Sequence, residues 1–511
     1  MGTTERRGIA MSPRPSAAAI LLLPFALAAA ATAAPATIES ILLPASVAPG
    51  DAVKPYVKLQ SARIALTHVV IIDGTGAAPL ADRTLLIDAG RITAILPAGG
   101  AIPKDAQVVD LAGHAVLPGL VGMHDHLFYI ARPDLDASGH SEPPLIVPQM
   151  AFSAPRLYLA NGVTTLRTTG SVEPATDLNL KRMIDTGQLP GPHLDVTGPY
   201  LEGPNSYFIQ MPQLRSEDDA RQTVNFWADR GVTSFKAYMN ITGPLLKAAI
   251  EAAHARGLKV TGHLCAVTYR EAAALGIDDL EHGFYVNTEG DPGKQHDVCT
   301  TSDGWDSLVA MDPQGEPARS LIADLVAHHV AITSTLPVFE QTVPLHAPLW
   351  PKALAVLSPE AKQDYFYLRN RTASAKPESA AERKTAWAHD LALERAFVAA
   401  GGLLLAGPDP TGNGGVIPGF GDLREVELLV EAGFTPLEAV KIATFNGARY
   451  LGLEHRIGSI AVGLDADLLV VKGNPAQTIT DIEQVEWVFK DGVGYDPAAL
   501  LESVKGRYGE Y

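Results

Sequence analysis

Between about Ala62 and Val116 the apolar residues come in short alternating runs broken by Gly and Asp. "IALTHVVIIDGTG", "RTLLIDAGRITAIL" and "AQVVDLAGHAVLPG" predict short β-strands. From Val116 the rhythm changes. Apolar runs of strand length now alternate with stretches of helical period. The runs are "VTTLRT", "HLDVTG", "TSFKAYM", "LKVTGHL", "DDLEHG", "VAITSTL" and "GLLLAGPD". Between them lie segments such as "PLLKAAIEAAHARG", with Leu246, Ala249, Ile250 and Ala253 on one helical face. Counting the run that ends at His124, strand and helix alternate through eight strands, which predicts a (β/α)8 barrel. Helical "LREVELLVEAG" and "TPLEAVKIATFNGARYLG" follow, and then strands return in "GSIAVGLDADLLVVKG" and "VEWVFKDGVGY". The predicted organisation is an α/β barrel over 118–448. A small β-sandwich is built beside it from 60–117 and 449–498.

The first residues change the picture of where the protein works. Arg6, Arg7 and Arg14 precede "AAAILLLPFALAAAATAA", which ends in small residues. This reads as a signal peptide over 1–34, with cleavage near Ala33 or Ala34 and either Met1 or Met11 as the start. The run is short and Ala-rich for a membrane span, and no later stretch could cross a bilayer. A periplasmic or secreted protein with no stable membrane span after processing is expected. The net charge of −17 excludes a nucleic-acid partner, which would call for a basic stripe. Two cysteines occur, Cys265 and Cys299, and an oxidising compartment allows a disulfide between them. A homo-oligomer is compatible with the sequence.

Candidate chemistry lies at the strand ends. In "GLVGMHDHL" an extended backbone would project His124 and His126 to one face and turn Asp125 away. Strand four carries Lys236 inside an apolar run. Strands five, six and eight end in His263, His282 and Asp409. Each alone has a bland reading: a hydrogen-bonded histidine, a snorkelling lysine, a turn aspartate. In a barrel all six face one mouth, where such folds keep their chemistry.

These residues, with the flanking "IIDGTG", "RITAI", "VLPGL", "TPLEAVKIATFNGARYLGL" and "GSIAVGLDADLLVV", resemble the amidohydrolase superfamily. Its imidazolonepropionase-like and prolidase-like members are the nearest in pattern. The resemblance spans about residues 60–495. It implies a distorted barrel with a β-sandwich and a mono- or binuclear metal centre; two divalent ions are expected here, zinc foremost, since imidazole, carboxylate and carbamate ligands suit zinc, manganese or cobalt. By resemblance His124, His126 and Asp409 hold one ion and His263 and His282 the other, bridged by Lys236 carboxylated by CO2. Many relatives read Arg-Asp after strand two, where this chain has Arg167 followed by Thr168 and Thr169.

The residue chemistry agrees with that implication. A neutral lysine amine reacts with CO2 to give an anionic two-oxygen ligand, and burial favours the neutral amine. Two ions about 3.5–4 Å apart can acidify a shared water that attacks an amide carbonyl. Asp409 would take the proton and return it to the leaving nitrogen. Tyr238, two residues from Lys236, either holds the carbonyl oxygen as a substrate-binding phenol or packs at the rim. Cys265, two residues from His263, is a pocket thiol or the partner of Cys299 in a disulfide pinning loop six. The expected activity is hydrolysis of a C–N amide bond in a dipeptide, N-acyl amino acid or similar small molecule. The alternatives are a mononuclear deaminase of the same superfamily, a lactonase or phosphotriesterase, and a non-catalytic metal-binding barrel. Loop one with Arg132, loop three, and loop seven with Trp350, Tyr365, Phe366 and Tyr367 are expected to shape the pocket.

Overall fold

Strand runs separated by turn residues pair with their chain neighbours, and the N-terminal β-rich segment does so. The computed structural model describes residue 2 and residues 38–129, 147–206, 208–411 and 415–509. The expected signal peptide and Arg132 lie outside the described residues. The first six strands are β1 (Val57–Leu59), β2 (Arg63–Ile71), β3 (Leu80–Asp88), β4 (Arg91–Pro97), β5 (Gln107–Asp110) and β6 (His114–Pro118). Three more return from the C-terminal part: β15 (Leu468–Lys472), β16 (Val485–Lys490) and β17 (Val493–Tyr495). All nine join in one sheet. Antiparallel pairing of β6 with β15, from Pro118 opposite Leu468 to His114 opposite Lys472, stitches the two distant segments together. Alternate residues of these strands, including Ile64, Leu66, Ile87, Val116, Leu468 and Val470, form a separate apolar core for this sandwich.

Eight parallel strands follow one another through the middle of the chain. They are β7 (Leu120–Gly122), β8 (Val163–Arg167), β9 (His193–Asp195), β10 (Ser234–Ala237), β11 (Lys259–Gly262), β12 (Asp279–Glu281), β13 (Ala331–Ser334) and β14 (Leu404–Ala406). They form two ladders, β7 to β9 and β10 to β14. Two isolated bridges, Thr197 with Ser234 and Leu201 with Ala237, link the segment after β9 to β10. On the other side the Met123 N–H donates to the Ala406 carbonyl at 2.8 Å, linking the end of β7 to β14. The barrel is therefore distorted, with two seams carried by isolated bonds. Its strands are short and, except for Lys259 at the start of β11, buried throughout, as parallel strands covered by helices must be.

Local chemistry fixes the helices that set the strands. Ser216 caps the helix Glu217–Ala228 by accepting from the Asp219 N–H, with three acids in its first turn. Thr268 and Glu271 form a capping box on Tyr269–Leu275, which ends at Gly276 in the left-handed region, φ 90°. The "IATFN" stretch widens to a π turn over Ile442–Asn446. The Asn446 amide there donates to the Leu404 carbonyl at 2.8 Å and secures the strand that leads to Asp409. Among the described residues no helix is long and apolar enough to cross a membrane.

Candidate metal centre

The six polar residues read from strand ends come together at the C-terminal mouth. The first pair differs in detail from the expectation. β7 stops at Gly122, so His124 and His126 lie on the segment that follows it and not on a strand. The geometry survives because this segment is still held between its neighbours. Met123 N–H bonds β14, and Asp125 N–H donates to the Arg167 carbonyl at 3.1 Å. The two imidazoles meet edge to face, 5.2 Å between centroids. Asp125 is wholly buried, with its carboxyl against Gly122 and Asp422. A Cβ at Gly122 would lie 1.8 Å from Asp125 Oδ2 and 3.1 Å from Asp422 Oδ1.

Asp409 is the hub. Its Oδ1 stands 3.0 Å from His126 Nε2 and 3.6 Å from His124 Nε2, and its Oδ2 3.9 Å from His282 Nδ1. His124, His282 and Asp409 bring one ligand atom each within 4.8 Å of one another. Lys236, 1% exposed, places Nζ 3.1 Å from His124 Nε2. His263 closes the circle, its ring 4.5 Å from that of His282 and 5.0 Å from that of Tyr238. His282 and Asp409 both have left-handed backbones, φ 72° and 54°. For residues with a Cβ such a conformation is costly, and it collects at functional sites.

Electrostatics prepares these groups to be ligands. Burial, then the Lys236 charge, pushes the His124 imidazole down to about 4, so it is neutral at pH 7. Burial likewise lowers His126 and His282. Burial also lowers Lys236, which favours the free amine. Burial alone would raise the Asp409 carboxyl, but His124, His126 and Lys236 together hold it well below the usual range.

Sequence reasoning missed the layer behind the candidate ligands. Glu281 Oε2 meets His124 Nδ1 at 2.8 Å and fixes that nitrogen as the protonated one. Arg167 Nη2 in turn donates to Glu281 Oε1 at 3.1 Å and Asp279 Oδ2 at 2.7 Å, all wholly buried. His126 Nδ1 lies 3.3 Å from the Thr168 carbonyl and His282 Nδ1 3.0 Å from Thr335 Oγ1. The signal was available: charged residues within strands buried on both faces must find each other.

The residues fit divalent metal. The donor set of imidazoles, a carboxylate and a lysine able to become a carbamate suits zinc, manganese or cobalt. His263 Nε2 is buried with no hydrogen-bond partner among the described residues. Cys265 and Cys299 are joined as a disulfide, with 4.7 Å between their Cα atoms, so neither offers a thiol. His193, Asp467 and Asp491 also cluster, but at the opposite end of β9. There the Lys490 ammonium, 3.6 Å from Asp491, already balances the carboxylates.

The mouth has an apolar side, and a basic cleft lies near the segment that follows Asp409. Phe128, Val172, Tyr200, Phe208 and Met211 pack together with Tyr238 against them, and Phe128 stacks on His126 at 4.3 Å. A cleft of about 330 Å3 lies beside Thr411 and Val338 and includes Arg371 and Arg383. The loop-seven aromatics divide: Trp350 and Tyr365 line a separate pocket with Phe420, while Phe366 is exposed.

Comparison with known proteins adds to this geometry. The profile of the Amidohydrolase family matches residues 115–493. A dihydroorotase of Syntrophus aciditrophicus (strain SB) is 51% identical over 43 residues, 8% of this chain and 10% of its own. Across the curated relatives the matches span only 8–14% of their lengths. A Xaa-Pro dipeptidase with bound methionine in the active site superposes with TM-score 0.62 at 20% identity, covering 85% of this chain and all of that one (100%). A bottromycin amidohydrolase superposes with TM-score 0.65 at 20% identity, covering 91% and 96%. At these identities the structural likeness is one of fold.

Proposed function

Because the chain belongs to the Amidohydrolase family, we propose that it is a binuclear metal-dependent hydrolase of C–N amide bonds in small substrates. The observation that carries this is the convergence of His124, His126, Lys236, His263, His282 and Asp409 on one buried mouth. His124, His126 and Asp409 would hold one ion, His263 and His282 a second, with carboxylated Lys236 between them. The ions would supply Lewis acidity and a water acidified toward neutral pH. The chain's own residues do the rest. Asp409, ionised and facing the imidazoles, takes a proton from the attacking water and delivers it to the leaving nitrogen. The Tyr238 phenol, beside His263, holds the carbonyl oxygen and the charge that develops on it. Glu281 keeps His124 in the tautomer that presents Nε2.

The substrate proposed is a dipeptide or N-acyl amino acid. Its apolar acyl group suits the Phe128, Tyr200, Phe208 and Met211 wall. Its carboxylate suits the cleft with Arg383, which donates to the Thr342 carbonyl at 3.1 Å and has no carboxylate partner among the described residues. Export is part of the proposal. It is supported by the Arg-flanked apolar run of residues 1–34 and by the disulfide. The test is a library of N-acyl amino acids and dipeptides, each paired with its carboxamide, offered to metal-reconstituted protein. Turnover of the free acids above their carboxamides is expected. Deamination of purines, or no hydrolysis of any amide, would contradict the proposal.

A further inference from the structure

Loop six, between β12 and the helix Trp305–Ala310, is fastened with unusual care. Asp291 accepts from the backbone N–H groups of Gly304 at 2.8 Å and Ser307 at 2.9 Å, and also from the Thr300 hydroxyl. Lys294 Nζ donates to the Ala266 carbonyl at 2.6 Å. The Cys265–Cys299 disulfide ties the loop to the chain just past His263. Between these fixings sits Asp303, with a left-handed backbone, φ 49°.

Asp303 Oδ2 stands 3.7 Å from His263 Nε2. A direct N–H···O bond would be about 2.9 Å, and His263 Nε2 has no hydrogen-bond partner among the described residues. Asp303 Oδ1 is also buried without one, although the side chain as a whole is 32% exposed, and among the described residues no lysine or arginine pairs with the carboxylate. Two atoms each about 2.0–2.1 Å from one zinc at a tetrahedral angle stand about 3.4 Å apart. The Asp303–His263 spacing is of that kind, like the 3.6 Å between His124 Nε2 and Asp409 Oδ1. A carboxylate oxygen and an imidazole nitrogen that face each other at this spacing without bonding are suited to share a divalent cation.

We propose that Asp303 is a further metal-holding residue, adding a carboxylate to the divalent ion on the side of His263 and His282. This rests on the two-ion reading of the centre. Loop six is then a strap that carries a ligand, and its fixings hold that ligand in place.

The test uses the full chain, stripped of metal and titrated with cobalt(II) in bicarbonate buffer. Ions per chain are counted, each affinity is read by competition with a chromogenic chelator, and the visible spectrum is recorded. Wild type should take two ions. Asp303→Asn should weaken one of them by about 10–100-fold or more, shift the cobalt spectrum and leave the other ion unchanged. Asp303→Glu, which keeps the carboxylate, should recover much of the lost affinity, as a merely unfolded variant would not. Asp303→Asn binding both ions as wild type does would overturn the proposal while leaving the two-ion reading intact. A wild type that takes one ion would overturn both.

Discussion

His124 shows how the fold suits one residue to be a ligand. Burial removes its charge, and Glu281 on Nδ1 aims Nε2 at Lys236 and Asp409. His124→Ala should cost metal occupancy and all turnover. Asp409→Asn should keep much of the metal yet lower turnover by about 10²–10⁴-fold, because an amide cannot serve as base. Metal analysis beside kinetics separates the two effects, and a near-native rate for Asp409→Asn would remove that residue from the proton transfer. Glu281→Gln should lower metal affinity or activity about 10–100-fold, since the neutral amide holds the imidazole less firmly and leaves Arg167 short of a partner. An unchanged metal titration would contradict this. The candidate ligands were legible in the chain because six such residues at successive barrel strand ends all face one mouth. Glu281, Asp279 and Arg167 were not, because their roles depend on which strands lie across the barrel from each other, and one sequence does not order strands in space.

At the level of elements, the segment after β7 carries the motif and needs close approach to hold it. Gly122 leaves no room for a Cβ beside the Asp125 carboxyl. Gly407 leaves none beside the His124 backbone, where a Cβ would stand 2.2 Å from the nitrogen. Gly122→Ala should destabilise the fold by about 1–3 kcal/mol through overpacking, read from the denaturation midpoint. An unchanged midpoint would show that the segment can give way. The element order was readable from apolar runs and their spacing, since eight strands in β-then-α order leave few architectures. The end of β7 was not, because Gly-Met-His-Asp-His alternates like a strand while its hydrogen bonds go to β8 and β14 in an irregular pattern. Pairing of β6 with β15 was foreseen only as a shared sandwich, since register between segments some 350 residues apart leaves no local trace.

For the whole molecule, a second population of carboxyls links stability to pH. Burial pushes Glu425 up to about 8, and Asp177 and Asp422 up to about 7. Each keeps in the folded state a proton that the unfolded chain releases near its ordinary value. Their contribution is fully present below about pH 4. It falls as pH rises and is lost through the folded values of about 7 to 8. The protein should therefore resist denaturant better at pH 6 than at pH 8.5, and Glu425→Gln should flatten that slope; a steeper slope in the variant would contradict the assignment. The ionised carboxylates Asp409 and Glu281, by contrast, sit among imidazoles and the Lys236 and Arg167 side chains. The central claim, two ions joined through a carboxylated Lys236, is tested most directly by counting ions bound to metal-free protein on reconstitution with and without bicarbonate. The account predicts two ions per chain with bicarbonate, fewer without it, and no bicarbonate dependence in Lys236→Ala. One ion per chain, bound equally well in either buffer, would contradict it.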